Sequence, residues 1–259
     1  MSTFRLDIAY HGGAYSGWAR QPGLRTVQEE LEGAVGKILS GTEVELTVAG
    51  RTDAGVHATG QVASFTLDRE PPDRFAERIN AVLPRDVSVL AAEPAADGFD
   101  ARRWAQSRSY RYRVLRAPAR DPFEEGRALW WPYPLGVTAV RECAASIKGE
   151  HDFTAFTPTE TEHVRFERVV LAAEWIEESE RVLTFEITAD AFMRNMIRVL
   201  VGTMLEVAGG KRTVEDFREL LEGAPRERAG ETAPAHGLYF TGVTYGDGPA
   251  FTYPEAEPL

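Results

Sequence analysis

The stretch A-G-R-T-D-A-G-V-H-A-T-G-Q, residues 49–61, stands between two β-like runs at 44–48 and 61–67. This arrangement predicts a strand, a loop and a second strand. Glycine recurs at every fifth position of the stretch, at residues 50, 55 and 60. Because glycine tolerates positive φ and lets a ligand approach the backbone closely, we expect binding or chemistry at this loop.

The centre of the loop carries one carboxylate, Asp53, two residues after the cation Arg51. Asp53 is therefore the first candidate for a reactive group. An ordinary turn with a solvated Asp53 is the alternative, because Asp and Gly are both common in turns. Neither glycine-rich phosphate-binding signature is present. A metal site on Asp53 and His57 would need further ligands, which the scattered histidines and the single Cys143 do not supply, so no metal is expected.

The order of predicted elements in the first part of the chain is β-α-β-β-α-β. The elements are a strand at 4–10, a helix at 26–39, strands at 44–48 and 61–67, a helix at 72–83 and a strand at 87–91. Thr26 is a candidate N-cap, with Glu29 three residues later. This order is typical of the split βαβ pattern of ferredoxin-like domains.

The second part of the chain predicts nearly the same order with one extra helix. Its elements are a strand at 107–115, a helix at 137–148, strands at 164–176 and 182–189, helices at 192–207 and 214–222, and a strand at 238–245, with a loop at 118–134. The prediction is an α+β fold of two pseudo-repeated, ferredoxin-like (RRM-like) halves. Their mixed or antiparallel sheets would abut and leave a central cleft. The predicted domains are 1–104, with the Asp53 loop, and 105–259, with Tyr110 and Arg198.

The helix that contains Arg198 is apolar nearly all round from Met196 to Val207, which predicts that it is buried. A guanidinium there is costly unless a carboxylate pairs with it, and Asp53 is the partner we expect. That pair would keep Asp53 ionised, as a nucleophile or a base requires. The alternative is that Arg198 reaches the surface or bonds a loop carbonyl.

The composition limits the classes of protein to which the chain can belong. At 259 residues, 43% apolar and 27% charged, the chain is expected to be a soluble globular protein. It has no apolar run of roughly 20 residues and no signal-peptide segment at its start, so no membrane association is expected. A single cysteine excludes an intrachain disulfide and favours an intracellular, cytoplasmic protein.

Charge distribution qualifies the acidic composition. A net charge of −11 argues against a general nucleic-acid binder. Between Asp100 and Asp121, however, there are seven arginines and no acid, with Trp104, Tyr110 and Tyr112 interleaved. Aromatic faces stack on bases, so this segment is suited to RNA. The alternative is core packing for the two tyrosines, which share one face of the strand, and solvated charge on the other face.

Four blocks of the sequence resemble the tRNA pseudouridine synthase A family. They are G-R-T-D-A-G-V-H-A-T-G-Q at 50–61, Y-H-G-G-A-Y-S-G-W at 10–18 with Gln21 and T-V-Q at 26–28, S-Y-R-Y-R at 109–113, and A-F-M-R-N-M-I-R-V-L-V-G at 191–202. The resemblance implies isomerisation of uridine to pseudouridine at tRNA positions 38 to 40, in the anticodon stem-loop, without a cofactor. It also implies the same two-domain arrangement, and a homodimer that shares one tRNA.

The resemblance also implies roles for single residues. Asp53 would be the catalytic residue, attacking ribose C1′ or uracil C6 or acting as a base toward the sugar. Tyr110 would lie against the target uracil, and Arg198 would be the basic residue that holds Asp53 charged. Five further residues are candidates for RNA contact or for scaffolding of the loop: Arg51, His57, Gln61, Arg194 and Tyr15. Two rival classes are a non-catalytic RNA-binding protein and a metal-dependent hydrolase using Asp53, His57 and His11.

Overall fold

The computed structural model describes residues 1–161 and 164–250, and the chain folds into two compact units. The first unit holds Met1–Ser107 and the described residues from 240 to 250, and the second holds Arg108–Tyr239. A compact unit is not in itself an independently folding domain, so the boundary expected after residue 104 stays a prediction. The predicted second domain includes residues 162, 163 and 251–259, which lie outside the described residues.

The first unit is built on an antiparallel sheet with β1 between β3 and β4. Its elements are β1 (Ser2–Tyr10), α1 (Val27–Ile38), β2 (Thr47–Val48), β3 (His57–Leu67), α2 (Phe75–Asn80) and β4 (Val87–Pro94). The strand, loop and strand predicted around Asp53 are present, and the short β2 pairs with β3. Strand β2 covers only the end of the predicted run 44–48, and β3 begins at His57, before the predicted start at 61. Alternate residues of β1 are buried, Phe4, Leu6, Ile8 and Tyr10, which is the pattern of a strand with one face on the core.

The second unit contains a mixed sheet. Its elements are β5 (Ala105–Arg116), which begins in the first unit, β6 (Leu129–Trp131), α3 (Val137–Ile147), β7 (Gly149–Asp152), β8 (Glu167–Glu177), β9 (Val182–Ala189), α4 (Met196–Ala208), α5 (Val214–Glu219) and β10 (Leu238–Tyr245), which ends in the first unit. Strand β9 pairs antiparallel with β5 and β8, and β6 pairs parallel with β5. The α+β class is confirmed. The pseudo-repeat of ferredoxin-like halves stays a prediction.

Helices α2 and α4 start later than predicted because the residue before each is left-handed, and strands β2 and β8 also start later than predicted, at Thr47 and Glu167. Asn195 has a φ of 60° before α4, and Arg74 has a φ of 58° before α2. Neither helix can extend through such a residue, since a left-handed backbone ends the hydrogen-bond ladder. Strand β6 was not predicted, because the stretch 118–134 was expected to be a loop. Three residues are too few to show the alternation of apolar and polar side chains that indicates a strand.

Helix α1 begins at the predicted N-cap, Thr26, but without the predicted side-chain bond. The amides of Val27 and Gln28 instead donate to the carbonyls of Gly17 and Trp18, at 3.2 and 3.0 Å. The first turn is therefore capped by backbone from residues 17–18. The Thr26 hydroxyl is left buried without a partner among the described residues. No helix in the described part of the chain is long and apolar enough to cross a bilayer.

Candidate active-site residues

The loop between β2 and β3 carries Asp53, the carboxylate that the sequence analysis singled out. The amide of Val56 donates to the Asp53 carbonyl at 3.1 Å, and Gly55 has a φ of +79°, so the turn depends on a glycine. The Asp53 side chain is half-buried. Within the described residues of the first unit, its carboxylate accepts no hydrogen bond and forms no ion pair. A carboxylate held in place by its backbone alone is available to a ligand.

Buried polar side chains support the loop from beneath. The hydroxyl groups of Tyr10 and Thr52 are hydrogen-bonded at 2.7 Å, and the side-chain amide of Gln61 donates to the Gly50 carbonyl at 2.8 Å. Gln61 is fully buried, so its position fits scaffolding of the loop, one of the two roles that the sequence allowed. Burial raises the pKa of Tyr10 to about 12, against hydrogen bonds from Thr52 and Gln61 that lower it, so the phenol stays protonated.

A second segment, residues 11–18, lies against the Asp53 loop. Its Trp18 amide donates to the Thr52 carbonyl at 3.0 Å, and the Gly55 amide donates to the Tyr15 carbonyl at 3.2 Å. At Gly12 the two segments touch so closely that a methyl group would overlap the Val56 carbonyl oxygen. The position of the Asp53 loop therefore depends on the position of residues 11–18.

His57 is buried, 1% exposed, and belongs to the same contact. The amide of Gly12 donates to His57 Nδ1 at 3.0 Å, and because an amide only donates, this nitrogen carries a lone pair and no proton. The ring of His11 lies against that of His57, tilted by 53°, with centroids 4.4 Å apart. His57 therefore fits the scaffolding role too. Among the described residues, no three His, Cys, Asp or Glu side chains are placed to share a metal ion.

Tyr110 and Tyr112 lie on one side of β5, and Arg111 and Arg113 lie on the other side. Tyr110 is 8% exposed and Tyr112 is fully buried. The Tyr110 ring meets Phe192 edge to face, with centroids 5.0 Å apart, and the Tyr112 hydroxyl donates to the Pro234 carbonyl at 2.8 Å. Burial raises the pKa of Tyr112, and the nearby Arg198 lowers it by a smaller amount. The core-packing alternative thus describes Tyr112, whereas Tyr110 keeps a small exposed area.

The arginines on the other side of β5 are paired with carboxylates. Arg111 contacts Glu186 at 2.6 Å, and Arg113 contacts Glu124 at 2.6 Å and Glu178 at 2.7 Å. These two cations are partly neutralised before any ligand binds, so Arg111 and Arg113 are less available to phosphates than the sequence suggested. Arg51 and Arg194, in contrast, are exposed.

Arg198 is half-buried in the otherwise buried helix α4. Its Nε donates to the Ala233 carbonyl at 2.7 Å and its Nη1 donates to Asn195 Oδ1 at 2.9 Å. The Ala233 amide in turn donates to the Arg198 carbonyl at 3.0 Å. The bond to the Ala233 carbonyl matches the alternative in which Arg198 bonds a loop carbonyl. This bond uses only one of the five N–H donors of the guanidinium. No carboxylate among the described residues of this unit pairs with Arg198.

The sequence interpretation missed several residues that hold these groups. Asn195 and the Ala233 backbone orient Arg198, and Asp86 and Arg25 bond to Tyr15 beside the Asp53 loop. Asn195 lies inside a motif that the sequence already singled out. Nothing in the spacing of residues 15, 25 and 86 indicates that their side chains meet.

The chain matches a family model described as tRNA pseudouridine synthase over residues 8–102 and 143–246. It is 43% identical over 243 residues to a tRNA pseudouridine synthase A of Frankia casuarinae, covering 93% of this chain and 88% of the relative. Another protein of that name, from Bacillus subtilis, is 40% identical, with 93% and 98% covered. A third, from Francisella tularensis subsp. novicida, is 37% identical, with 98% and 96% covered.

The segments that match the family model contain Asp53 and Arg198 but not Tyr110, and the class that the matches define is that of the RNA-modifying isomerases. The chain belongs to the tRNA pseudouridine synthase family and is an enzyme. Among solved structures, it is similar to one titled as a Cbf5-Nop10-Gar1 complex, at 12% identity and a TM-score of 0.34, covering 91% of this chain and 57% of that one.

Proposed function

We propose that this protein isomerises uridine to pseudouridine in the anticodon stem-loop of tRNA, at positions 38 to 40, with Asp53 as the catalytic nucleophile. Family membership supports the reaction class, and the names of its relatives support tRNA as the substrate. The observation that carries the role of Asp53 is its carboxylate on a hydrogen-bonded loop, which forms no bond or ion pair among the described residues of the first unit. The arrangement suits a group that must meet a substrate.

The reaction balances without an oxidant, a reductant or an added group. The N1–C1′ bond of uridine breaks, the uracil ring turns, and a C5–C1′ bond forms. The hydrogen on C5 leaves as a proton, and N1 takes up a proton from solvent. The target nucleotide must first leave its stack, at a cost of a few kcal/mol, to bring its ring to the carboxylate.

Asp53 assists bond cleavage in its ionised form. Attack by the carboxylate on ribose C1′, attack on uracil C6, and removal of a sugar proton all use that form. In our proposal Arg198 pairs with Asp53 and keeps it charged and placed. The support is that Arg198 is fixed through neutral acceptors, Asn195 and the Ala233 carbonyl, and so retains its full positive charge for an anion.

Tyr110 is proposed to lie against the uracil ring and to relay the C5 proton. Its ring is fixed by the Phe192 contact and retains an exposed area, which suits stacking on an extruded base. Arg51 and Arg194 are proposed to contact the RNA, since both are exposed. His57 and Gln61 are proposed to contribute to substrate binding indirectly, through the loop that they hold.

The remaining parts of the proposal rest on the family. We propose a cytoplasmic homodimer that shares one tRNA, because the anticodon arm is a large substrate. We also propose two pseudo-repeated ferredoxin-like halves, with domains at 1–104 and 105–259 and a central cleft for the RNA. The β-α-β-β-α-β order of elements supports the first half.

The test uses tRNA transcripts labelled with tritium at C5 of uridine, with EDTA and no added cofactor. Isomerisation releases the label to water. We expect release by the wild type, and none by Asp53→Ala or Asp53→Asn, with tRNA affinity within about threefold of the wild type. Failure of the folded wild type to release label while binding tRNA would favour the RNA-binding protein. Loss of activity with EDTA would favour the hydrolase.

A further inference from the structure

Tyr15, Arg25 and Asp86 form a network beside the Asp53 loop that has no part in the proposed chemistry, and Arg25 also pairs with Glu30 at 2.9 Å. The Tyr15 hydroxyl donates to Asp86 Oδ1 at 2.6 Å. Arg25 donates to both oxygens of Asp86, at 2.9 and 3.0 Å, and to the Tyr15 hydroxyl at 2.8 Å. The Arg25 guanidinium also lies over the Tyr15 ring, 4.2 Å from its centroid. The three side chains therefore fix the free end of the Tyr15 ring at several points.

Burial differs along the network in an informative way. Tyr15 is 4% exposed, whereas the side chains of Asp86 and Arg25 are 28% and 39% exposed. The charged pair of Asp86 and Arg25 is therefore partly exposed, and the buried Tyr15 connects this pair to the interior of the unit. Burial and the bond to Asp86 raise the pKa of Tyr15, so its hydroxyl remains a donor. Burial alone would raise the pKa of Asp86, but the bonds from Arg25 and Tyr15 outweigh it and lower that pKa.

The other end of Tyr15 contacts the Asp53 loop. Its carbonyl accepts from the amide of Gly55, two residues after Asp53, at 3.2 Å. Asp86 holds the start of the same segment, because its carbonyl accepts from the His11 amide at 2.8 Å. Residues 11–18 are therefore fixed to Asp86 on one side and to the Asp53 loop on the other.

We propose that Asp86 is a positioning residue for Asp53, acting through Tyr15. The inference rests on the proposed function of Asp53. Asp86 bonds to no residue of 49–56 among the described contacts, so its effect must pass through residues 11–18. The Asp53 side chain forms no bond among the described residues of the first unit, so its placement depends on its backbone. A displacement of about 1 Å at a reacting group can cost on the order of a hundredfold in rate.

The variants separate the tyrosine contact from the ion pair. Asp86→Ala removes the bonds of the Asp86 carboxylate to Tyr15 and to Arg25. Tyr15→Phe removes only the Tyr15 hydroxyl. Asp86→Asn keeps an acceptor for Tyr15 but weakens the interaction with Arg25. We expect Asp86→Ala and Tyr15→Phe each to lower kcat by roughly tenfold to a hundredfold, with KM for tRNA within about twofold. Asp86→Asn should retain kcat within about threefold. The double variant Tyr15→Phe with Asp86→Ala should lose no more kcat than the less active of the two single variants, because both changes act through the same contacts.

Asp7→Ala is the matched control. Asp7 also pairs with an arginine of the first unit, Arg5, at 2.8 Å, but bonds to nothing in residues 11–18. We expect its kcat within about twofold of the wild type. Thermal unfolding of every variant, with assays well below the transition, keeps loss of fold apart from loss of rate.

The outcomes are distinguishable. An active wild type with unchanged kcat in Asp86→Ala and Tyr15→Phe overturns this inference and leaves the proposed function intact. Equal losses in kcat and in tRNA affinity would also overturn it, since they would assign Asp86 to binding. A folded wild type that releases no tritium overturns the proposed function, and this inference falls with it.

Discussion

Arg198 Nη1 donates to Asn195 Oδ1 at 2.9 Å, across the junction where α4 begins. Asn195 holds a φ of 60° there, and its side chain does not cap the helix. An asparagine that tolerates the left-handed region therefore starts the helix and at the same time orients a cation on it. The Ala233 carbonyl, 2.7 Å from Arg198 Nε, fixes the guanidinium from a second direction. The cation is placed by neutral groups from two separate parts of the chain.

Replacement of Arg198 by lysine should remove activity although it preserves the charge. A lysine has one ammonium in place of the planar fork that bonds Ala233 and Asn195 together. We expect Arg198→Lys to lower tritium release by about a hundredfold or more, with a stability loss of about 1 kcal/mol from the bonds that are left unmade.

Arg212→Lys is the control for that substitution. Arg212 also bonds one side chain and one loop carbonyl, Glu206 and Arg228, each at 2.6 Å, but it is not part of the proposed site. Its activity should remain within about twofold. Full activity of Arg198→Lys would show that charge without orientation suffices.

Gly202→Ala should destabilise the protein although alanine is the better helix former. A methyl group at Gly202 would overlap the Glu231 carbonyl oxygen, two residues before Ala233, so the segment at 231–233 must move away from α4. We expect a loss of about 1–3 kcal/mol in urea denaturation, together with lower activity as Ala233 leaves Arg198. In Gly33→Ala, an exposed position of α1 with no atom near the added methyl, stability should instead rise by about 0.5–1 kcal/mol.

The stability contributed by Asp86 should depend on pH. The folded-state pKa of Asp86 is depressed, so its contribution is present above the unfolded pKa of about 4 and is lost as the pH falls through the folded value. At pH 7 we expect Asp86→Asn to be less stable than the wild type by on the order of 1 kcal/mol, because the network is partly exposed. The difference should vanish at about pH 2 in urea titrations.

Asp97→Asn provides the comparison for that titration. Asp97 is exposed and makes no side-chain bond among the described contacts. Its stability should match that of the wild type at both pH values. A deficit in Asp86→Asn that persists unchanged at low pH would mean that the loss comes from packing, and the ion pair with Arg25 would then contribute nothing.

Local pattern predicted the regular elements well. The last strand was expected at 238–245 and is found there, and the all-round apolar sequence after Asn195 predicted the buried helix α4. Burial of one face of β5 followed from its alternation. These features depend on side chains a few residues apart, which a single sequence displays directly.

Tertiary contacts explain what the sequence did not predict. The carbonyls of Gly17 and Trp18 replace the Thr26 hydroxyl as the cap of α1, because this earlier segment lies against the first turn of the helix. The full burial of Gln61 favours scaffolding of the Asp53 loop over RNA contact, a choice that residue type leaves open. The network at Asp86 joins residues more than sixty positions apart, and no periodicity links them.

Arg51 and Arg111 should respond differently in tRNA binding, although both are arginines near the proposed site residues in sequence. Arg51 is exposed and makes no ion pair among the described residues of its unit, whereas Arg111 is held by Glu186 at 2.6 Å. A free guanidinium that meets a phosphate releases counterions, so Arg51→Gln should make the slope of log affinity against log salt shallower by about 1. Arg111→Gln should leave that slope unchanged, because Glu186 already offsets its charge. Titrations of tRNA at several salt concentrations measure both slopes, and an equal change in the two would remove Arg51 from the RNA contact that we propose.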